Sequence, residues 1–461
     1  MPQPSSSRGG LRGLVVDLDP LRLDRQFRLL WSAQLVGSVG AAMAVVALPF
    51  ELWELTHSSL SIGLLAIVQL VPILLFALGG GAIADAVDRR RLLTVTQTTL
   101  ATVGLVMALL AAQPNPPVWA FYVVAFVMAG VGSVDSLTRG STLPRIVPRE
   151  RLRAAIAVNT MGFTAMSVAG PALAGQVIEW AGVPAAFAFD CACGIASLAA
   201  IRMLAPLPPH PDAARPSLRS VAEGLRFVRS RRIVMAAFVI DLDAMIFGMP
   251  SSLFPQLALT VFNAGAAGYG LLQAAPAVGA AVGAAFNGWT AQARHAGRGV
   301  IWAVAAWGVA IVGFGLATFS FPVALLFLAF AGAADVVSAV LRSSIIQLET
   351  PDRLRGRVMS IQTLVVTGGP RLGDAEAAAV AAIAGAQFSV VSGGLLCVAG
   401  LAAVVKLFPQ LIGHELRHDG AHVDDSADGG EPGEPKAPSE VNTVGGPSES
   451  AGAAGPGQTL A

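Results

Sequence analysis

The sequence predicts an all-α integral membrane protein of twelve transmembrane helices, arranged as two pseudo-symmetric halves of six. Three observations predict it: apolar segments each long enough to cross a bilayer, arginine confined to every second connection, and a motif repeated at matching places in the two halves. Of 461 residues, 54% are hydrophobic and 13% charged. A soluble domain typically carries roughly 25% charged residues, and the mean hydropathy here is +0.66. Lipid must replace water over most of the surface.

A crossing takes ~20 apolar residues. Runs bounded by charge or by Pro/Gly turns fall at 28–50, 59–84, 92–112, 117–138, 153–178, 184–204, 233–261, 267–291, 299–318, 321–341, 358–384 and 386–408. The connections after the second, fourth, sixth, eighth and tenth runs hold Arg89–Arg91, Arg139 to Arg153, Arg202 to Arg232, Arg294 with Arg298, and Arg342 to Arg357. The alternate connections, such as ELTHSS, AAQPNPP and EWAGVP, contain no Lys or Arg. Basic loops stay on the cytoplasmic side, so both termini and the arginine loops are expected there. Residues up to about Asp24 show no apolar h-region with a cleavage site, and the first helix is expected to direct insertion.

The halves repeat each other. RGSTLPRIVPRERLRAA from Arg139 and RSSIIQLETPDRLRGRV from Arg342 each place Pro nine residues after the first Arg, followed by an acid, Arg, Leu and Arg. One helix further on, the Gly170-Pro171 pair with Gly175 meets the Gly369-Pro370 pair, a helix-packing motif in both copies. The predicted organisation is therefore a cytoplasmic tail (1–27), a first six-helix half (28–204), a cytoplasmic connection (205–232), a second half (233–408) and a polar tail (409–461). Within the connection, Leu218, Val221, Leu225 and Val228 make an apolar stripe on an arginine-rich helix, suited to lying on the membrane surface. The tail is rich in Gly, Pro, Ser, Ala and acids and is expected to be disordered and dispensable for transport.

Between the second and third runs the chain reads GGGAIADAVDRRR, from Gly79 to Arg91. This resembles the loop between helices two and three of the major facilitator superfamily, with Gly81, Asp85, Arg89 and Arg90 at the motif's glycine, aspartate and basic positions. Ala86 stands where the motif often has arginine, and Asp88 where it often has glycine. FRLLWSAQLVGSVGAAMAVVALPFEL, PRERLRAAIAVN before GPALAG, and EGLRFVRSRR extend the likeness to the branch of enterobactin exporters and macrolide efflux proteins. The resemblance covers roughly residues 25 to 408 and implies the major facilitator fold, alternating access about a central site, and a gate built by Asp85 and Arg89. That branch often carries an Asp after the first-helix glycine; here Ala41 follows Gly40, so no first-helix proton site is carried over.

Charges inside the membrane point to the site, because an ionisable residue at a helix centre costs ~2.5–3.5 kcal/mol and needs a partner or a wet cavity. The eleventh run carries Arg371, Asp374 and Glu376; Arg371 lies fourteen residues past Arg357, or about 21 Å along a helix. Arg371 and Asp374 are spaced to pair on one helical face, and Gly368-Gly369-Pro370 is expected to kink or open that helix. The seventh run adds Asp241 and Asp243, on different faces, one of them expected to face Arg371. These five are the predicted proton-coupling and cavity residues, Asp374 or Glu376 with Asp241 or Asp243 being the proton carriers. Asp135 with Arg139 and Asp335 with Arg342 are candidate gate residues near the arginine loops. Asp190 is assigned to packing, since sixth helices in this family usually lie outside the cavity wall.

Cys191, Cys193 and Cys397 lie in apolar runs without metal-like spacing, and no GxxxxGK[ST] occurs, so neither a metal, a cofactor nor ATP hydrolysis is indicated. Trp31, Trp53, Trp119, Trp180 and Trp289 fall near helix ends and are read as interfacial anchors. The expected function is a bacterial plasma-membrane secondary transporter, not an enzyme, that exports an amphipathic drug or siderophore in exchange for protons. Its partners are the small-molecule substrate, protons and the lipid bilayer, with no nucleic acid, and a monomer suffices. A metabolite importer and a non-transporting membrane sensor or scaffold are the alternatives.

Overall fold

The computed structural model describes residues 19–208, 218–286 and 295–413, apart from the side chains of 77–86 and 218–221. Twelve helical segments follow in order among these residues: α1 Arg25–Thr56, α2 Ser59–Ala86, α3 Arg89–Ala111, α4 Val118–Ile146, α5 and α6 within Leu152–Arg202, α7 Arg232–Val261, α8 Gly265–Ala285, α9 Ala296–Leu316, α10 Phe321–Glu349, α11 Asp352–Ala384 and α12 Ala386–Leu407. With α5 and α6 taken as one helix, all but α8 and α11 are long and apolar enough by composition alone to cross a membrane, nine in number among the described residues. Asp24 starts α1 by accepting from the N–H groups of Gln26 and Phe27 at 2.9 and 3.0 Å, which satisfies donors that the first turn leaves open. Asp88 does the same for α3 through Arg91 N–H, and its other oxygen accepts from Leu207 N–H at 2.9 Å.

The repeat seen in sequence is also a repeat of geometry. Gly182 at φ +82° breaks Leu152–Arg202 into α5 and α6, and Gly385 at φ +89° separates α11 from α12. Only glycine adopts that backbone without strain, so each half turns its last helix back with a single residue. The halves meet through α5 on α8 and α2 on α11. These contacts are backbone-close: a Cβ on Gly270 would sit 2.5 Å from Pro171 O, and one on Gly63 2.6 Å from the Ala378 methyl. Gly170 and Gly175 serve the same packing, against Ala42 of α1 and against α8, while Gly369 abuts Met245 of α7. Van der Waals contact between small residues is what joins helices where lipid removes the hydrophobic drive.

Two expectations are corrected here. The break falls in α7 rather than α11: α7 is α-helical to Phe247, opens at Gly248 to Pro250, and resumes as 3-10, α and π turns to Val261. Helix α11 runs through Gly368-Gly369-Pro370 unbroken, because its glycines are used for close approach to Leu70, Met245 and the Ile246 backbone. The groups freed in α7 find partners: Trp307 Nε1–H donates to Gly248 O at 2.9 Å, and Ser252 N–H donates to Asp374. Second, the helix Leu218–Ser230 docks on the second half rather than only lying on lipid. Val228 is buried among Val234, Phe238, Ile346 and Val358, and Glu223 pairs with Arg357.

Large apolar side chains such as Leu109, Trp119, Phe330 and Ile383 point outward around the spans, as a lipid-facing belt requires. Trp119 and Trp180 are exposed there, whereas Trp53 is buried. At the far end, residues 409–411, grouped by composition with the polar tail, form a 3-10 turn with Leu411 fully buried. Residues 414–461, Trp289 and Arg294 lie outside the described residues.

Candidate substrate site and its ion pairs

Two abutting cavities among the described residues bear on the site. The larger, 510 Å³, runs from Phe27 and Leu143 at the arginine-loop end to Ala44 and Leu100 near mid-span, between α1, α3, α4, α5 and α6. The smaller, 330 Å³, lies between α1, α2 and α4 of the first half and α11 of the second. Both are lined by Ala44, Val45, Met128, Gly132 and Ser136, so they abut along one wall. Their surfaces are mainly apolar; besides serine and threonine hydroxyls the polar groups are Gln34, Gln97, Asn159, Asp135, Arg139 and Asp190 in the first, Gln69 and Arg371 in the second.

At the end opposite the arginine loops the halves are fastened together. Ser59 Oγ–H donates to Gln256 Oε1 at 2.7 Å, and the rings of Phe50 and Tyr269 stack at 6.1 Å. Glu179, at the end of α5, accepts from the N–H groups of Ala266 and Ala267 at 2.9 and 3.4 Å. A carboxylate there satisfies first-turn donors of α8 and complements the helix dipole.

The two repeated arginines keep their place but change partners. Arg139 Nε–H donates to Asp135 one turn earlier on α4 at 2.6 Å, while Thr96 of α3 donates to the same carboxylate and Arg139 reaches Ser197 of α6. In the second half the residue one turn before Arg342 is Ser338, which accepts from Arg342 Nη1 at 3.0 Å. The charge of Arg342 is met instead from α7, by Asp241 at 2.7 Å, with Asp335 at 3.9 Å. Serine for aspartate at that turn leaves the arginine to find its acid on another helix.

Of the five predicted cavity residues, only Arg371 lines a cavity. Asp241 is drawn to Arg342, not Arg371. Asp243 faces α12, where a Cβ on Gly400 would overlap its carboxylate. Asp374 is buried and spends one oxygen on Ser251 Oγ–H and Ser252 N–H, at 2.6 and 2.8 Å, tying α11 to the break in α7. Glu376 is half-buried on α11 away from both cavities. Helical spacing set these acids on their helix faces, but which face meets a cavity depends on how neighbouring helices pack.

Asp190, assigned to packing from the sequence, lines the larger cavity and also packs closely against two other helices: a Cβ at Gly40 of α1 would lie 2.7 Å from its Oδ1, and one at Gly104 of α3 3.1 Å from its Oδ2. It forms no ion pair among the described residues. Its signal in the sequence was an acid in mid-run; the glycines that pack against it are on two other helices. Trp31 likewise lines the cavity, beside Gly162, rather than anchoring at the interface. In the loop after α2, Arg89 is buried and Arg90 donates to Arg202 O, while Gly81 and Asp85 lie among residues whose side chains are not described.

Residues 16–417 match the family model for transmembrane secretion effectors. An enterobactin exporter of Citrobacter koseri is 28% identical over 407 residues, covering 87% of this chain and 95% of the relative. One of Escherichia coli is 26% identical over 405 residues, with 88% and 95% covered. Among solved structures, a POT family transporter in complex with 5-aminolevulinic acid superposes with a TM-score of 0.67 at 10% identity, covering 84% of this chain and 97% of that one. A bacterial homologue of the lysosomal transporter Spinster, in an inward-facing and unoccupied conformation, gives 0.64 at 14% identity, covering 84% and 98%. The twelve spans, the repeated halves and the match over 16–417 together make this chain a multi-pass membrane transporter, not an enzyme, belonging to the transmembrane secretion effector family of the major facilitator superfamily.

Proposed function

We propose that the protein exports amphipathic small molecules, of the drug or siderophore kind, across the bacterial inner membrane in exchange for protons. The single observation that carries the reading is the pair of abutting, mainly apolar cavities, placed inside the first half and between the halves, with the far end fastened by Ser59–Gln256 and Glu179–Ala266. With the arginine loops cytoplasmic, the larger cavity faces the cytoplasm and can load a substrate from inside. The halves then rock about the cavities, separating the far-end contacts. Export accords with the family's description as secretion effectors and with the enterobactin exporters it resembles. One chain holds both halves and both cavities, so a monomer suffices.

Asp190 is the acid best placed for the proton. It meets the larger cavity without a cation of its own, and the residues facing it from α1 and α3, Gly40 and Gly104, are uncharged; Cys191 and Cys193 flank it on α6, and Arg139 reaches that helix only at Ser197. Asp135 and Asp241, by contrast, are neutralised by Arg139 and Arg342.

The test uses purified protein in proteoliposomes under an imposed pH gradient, with a panel of drugs and siderophores. Compound-dependent proton movement that is lost in Asp190→Asn and kept in Asp374→Asn supports the assignment. Silence across the panel favours a sensor, and gradient-driven accumulation in the opposite direction favours an importer.

A further inference from the structure

We propose that Arg371 is a recognition point for an anionic group, and that the substrates of this protein are amphipathic anions bound with their acidic end at Arg371 and their apolar body along α1 and α4. The inference deepens the export reading by naming the charge of the cargo, and it needs neither export nor proton coupling to be tested.

Three arginines within the spans can be compared. Arg139 and Arg342 are each buried, with side chains 9% and 4% exposed, and each is neutralised by a carboxylate within 2.7 Å. Arg371 is different. It lines the 330 Å³ cavity between the halves, and no carboxylate among the described residues forms an ion pair with it. The acid one turn away, Asp374, accepts instead from Ser251 and Ser252 of α7. Asp374 is near enough to feel the charge of Arg371 but outside ion-pair distance, so the guanidinium keeps its donors for the cavity, and a membrane arginine placed in this way marks a ligand path.

The wall around it defines the ligand. Ala44, Val45, Leu48, Pro49, Leu65 and Ile73 offer an apolar face. Thr363 and Thr367 lie two turns and one turn before Arg371, but their hydroxyls donate to their own helix, at Met359 O and Thr363 O. Ser133 is committed in the same way to Ala129 O. The donors left to complete a site with Arg371 are the Ser136 hydroxyl and the Gln69 amide N–H groups. A guanidinium offers a fork of donors matched to carboxylate or a similar oxyanion, and here it is the only charged group on the wall. A polar neutral compound would leave that charge unmet.

The probes are aryl carboxylates and their carboxamides, beginning with 2-naphthoate and 2-naphthamide and extending to larger ring systems, which share an apolar body and differ in charge. Binding to the full chain in nanodiscs is measured by equilibrium dialysis. The expected result is preference for the acid of a pair, a loss of about tenfold or more for that acid in Arg371→Gln (about 1.4 kcal/mol per tenfold), no change for the amide, and partial recovery in Arg371→Lys. Equal retention of acid and amide, or no retention of either across the set, overturns the proposal. So does equal loss of both in a monodisperse Arg371→Gln. If that variant does not fold, Arg371→Lys decides by the same acid-to-amide ratio, which falls if the bidentate fork matters and stays at the wild-type value if the contact does not exist.

Discussion

Arg342 of α10 lies 2.7 Å from Asp241 of α7, whereas its repeat counterpart Arg139 takes its acid from the preceding turn of its own helix. One bond is between helices and the other within one, so the two halves are unequally tied. Asp241→Asn is expected to destabilise the protein by about 3–5 kcal/mol, the usual penalty for leaving one partner of a buried pair alone. Thermal unfolding in nanodiscs checks it, and the double variant Asp241→Asn with Arg342→Gln should recover part of the loss. A single variant as stable as the parent would show that Asp335 and Ser338 suffice for Arg342.

Asp374 is expected to act through α7 and not through the proton. An asparagine there can still accept from Ser251 and Ser252, so Asp374→Asn should fold and transport. Asp374→Ala removes the acceptor and should cost about 1–3 kcal/mol. Parallel melting curves and transport assays separate the two; abolition of gradient-driven transport by the asparagine variant, with its stability intact, would return Asp374 to the coupling role.

The far-end contact depends on small residues. A side chain at position 270 would meet Pro171 O and the Gly175 backbone, and overpacking of this kind typically costs ~1–3 kcal/mol. Gly270→Val is therefore expected to favour the state open at that end. In a cysteine-free background, Ser136→Cys should react faster with an impermeant thiol reagent added from outside when Gly270→Val is present. An unchanged rate would mean that α5 and α8 do not form the far-end closure.

Gly40 should be intolerant of any side chain for a different reason. Gly40→Ala places a methyl 2.7 Å from the Asp190 carboxylate and 2.8 Å from Cys193 Cβ, pushing α6 away from α1 and shifting that acid on the cavity wall. Gradient-driven transport should fall while equilibrium binding of an aryl carboxylate at Arg371, on the wall of the other cavity, is kept. Loss of both would indicate a general collapse of α1 against α6.

Much of this architecture was legible without coordinates. Segment length and the alternation of arginine fixed twelve spans, because a bilayer has a set thickness and basic loops a preferred side. The repeated RGSTLPRIVPRERLRAA and RSSIIQLETPDRLRGRV runs located the two equivalent arginines, and a charge in an apolar run could only be functional or paired. Pairing itself was not legible. Whether Asp241 met Arg371 or Arg342, whether Asp190 faced a neighbour or a cavity, and whether Gly369-Pro370 opened a helix or packed it were decided by which helices touch. The sequence by itself determined the number of spans, their repetition and the inventory of buried charges, all of which depend on composition along one chain. The tertiary structure alone decided which charges are neutralised and which face the cavities, because the rotation and close approach of each helix depend on small residues of other helices far away in the chain.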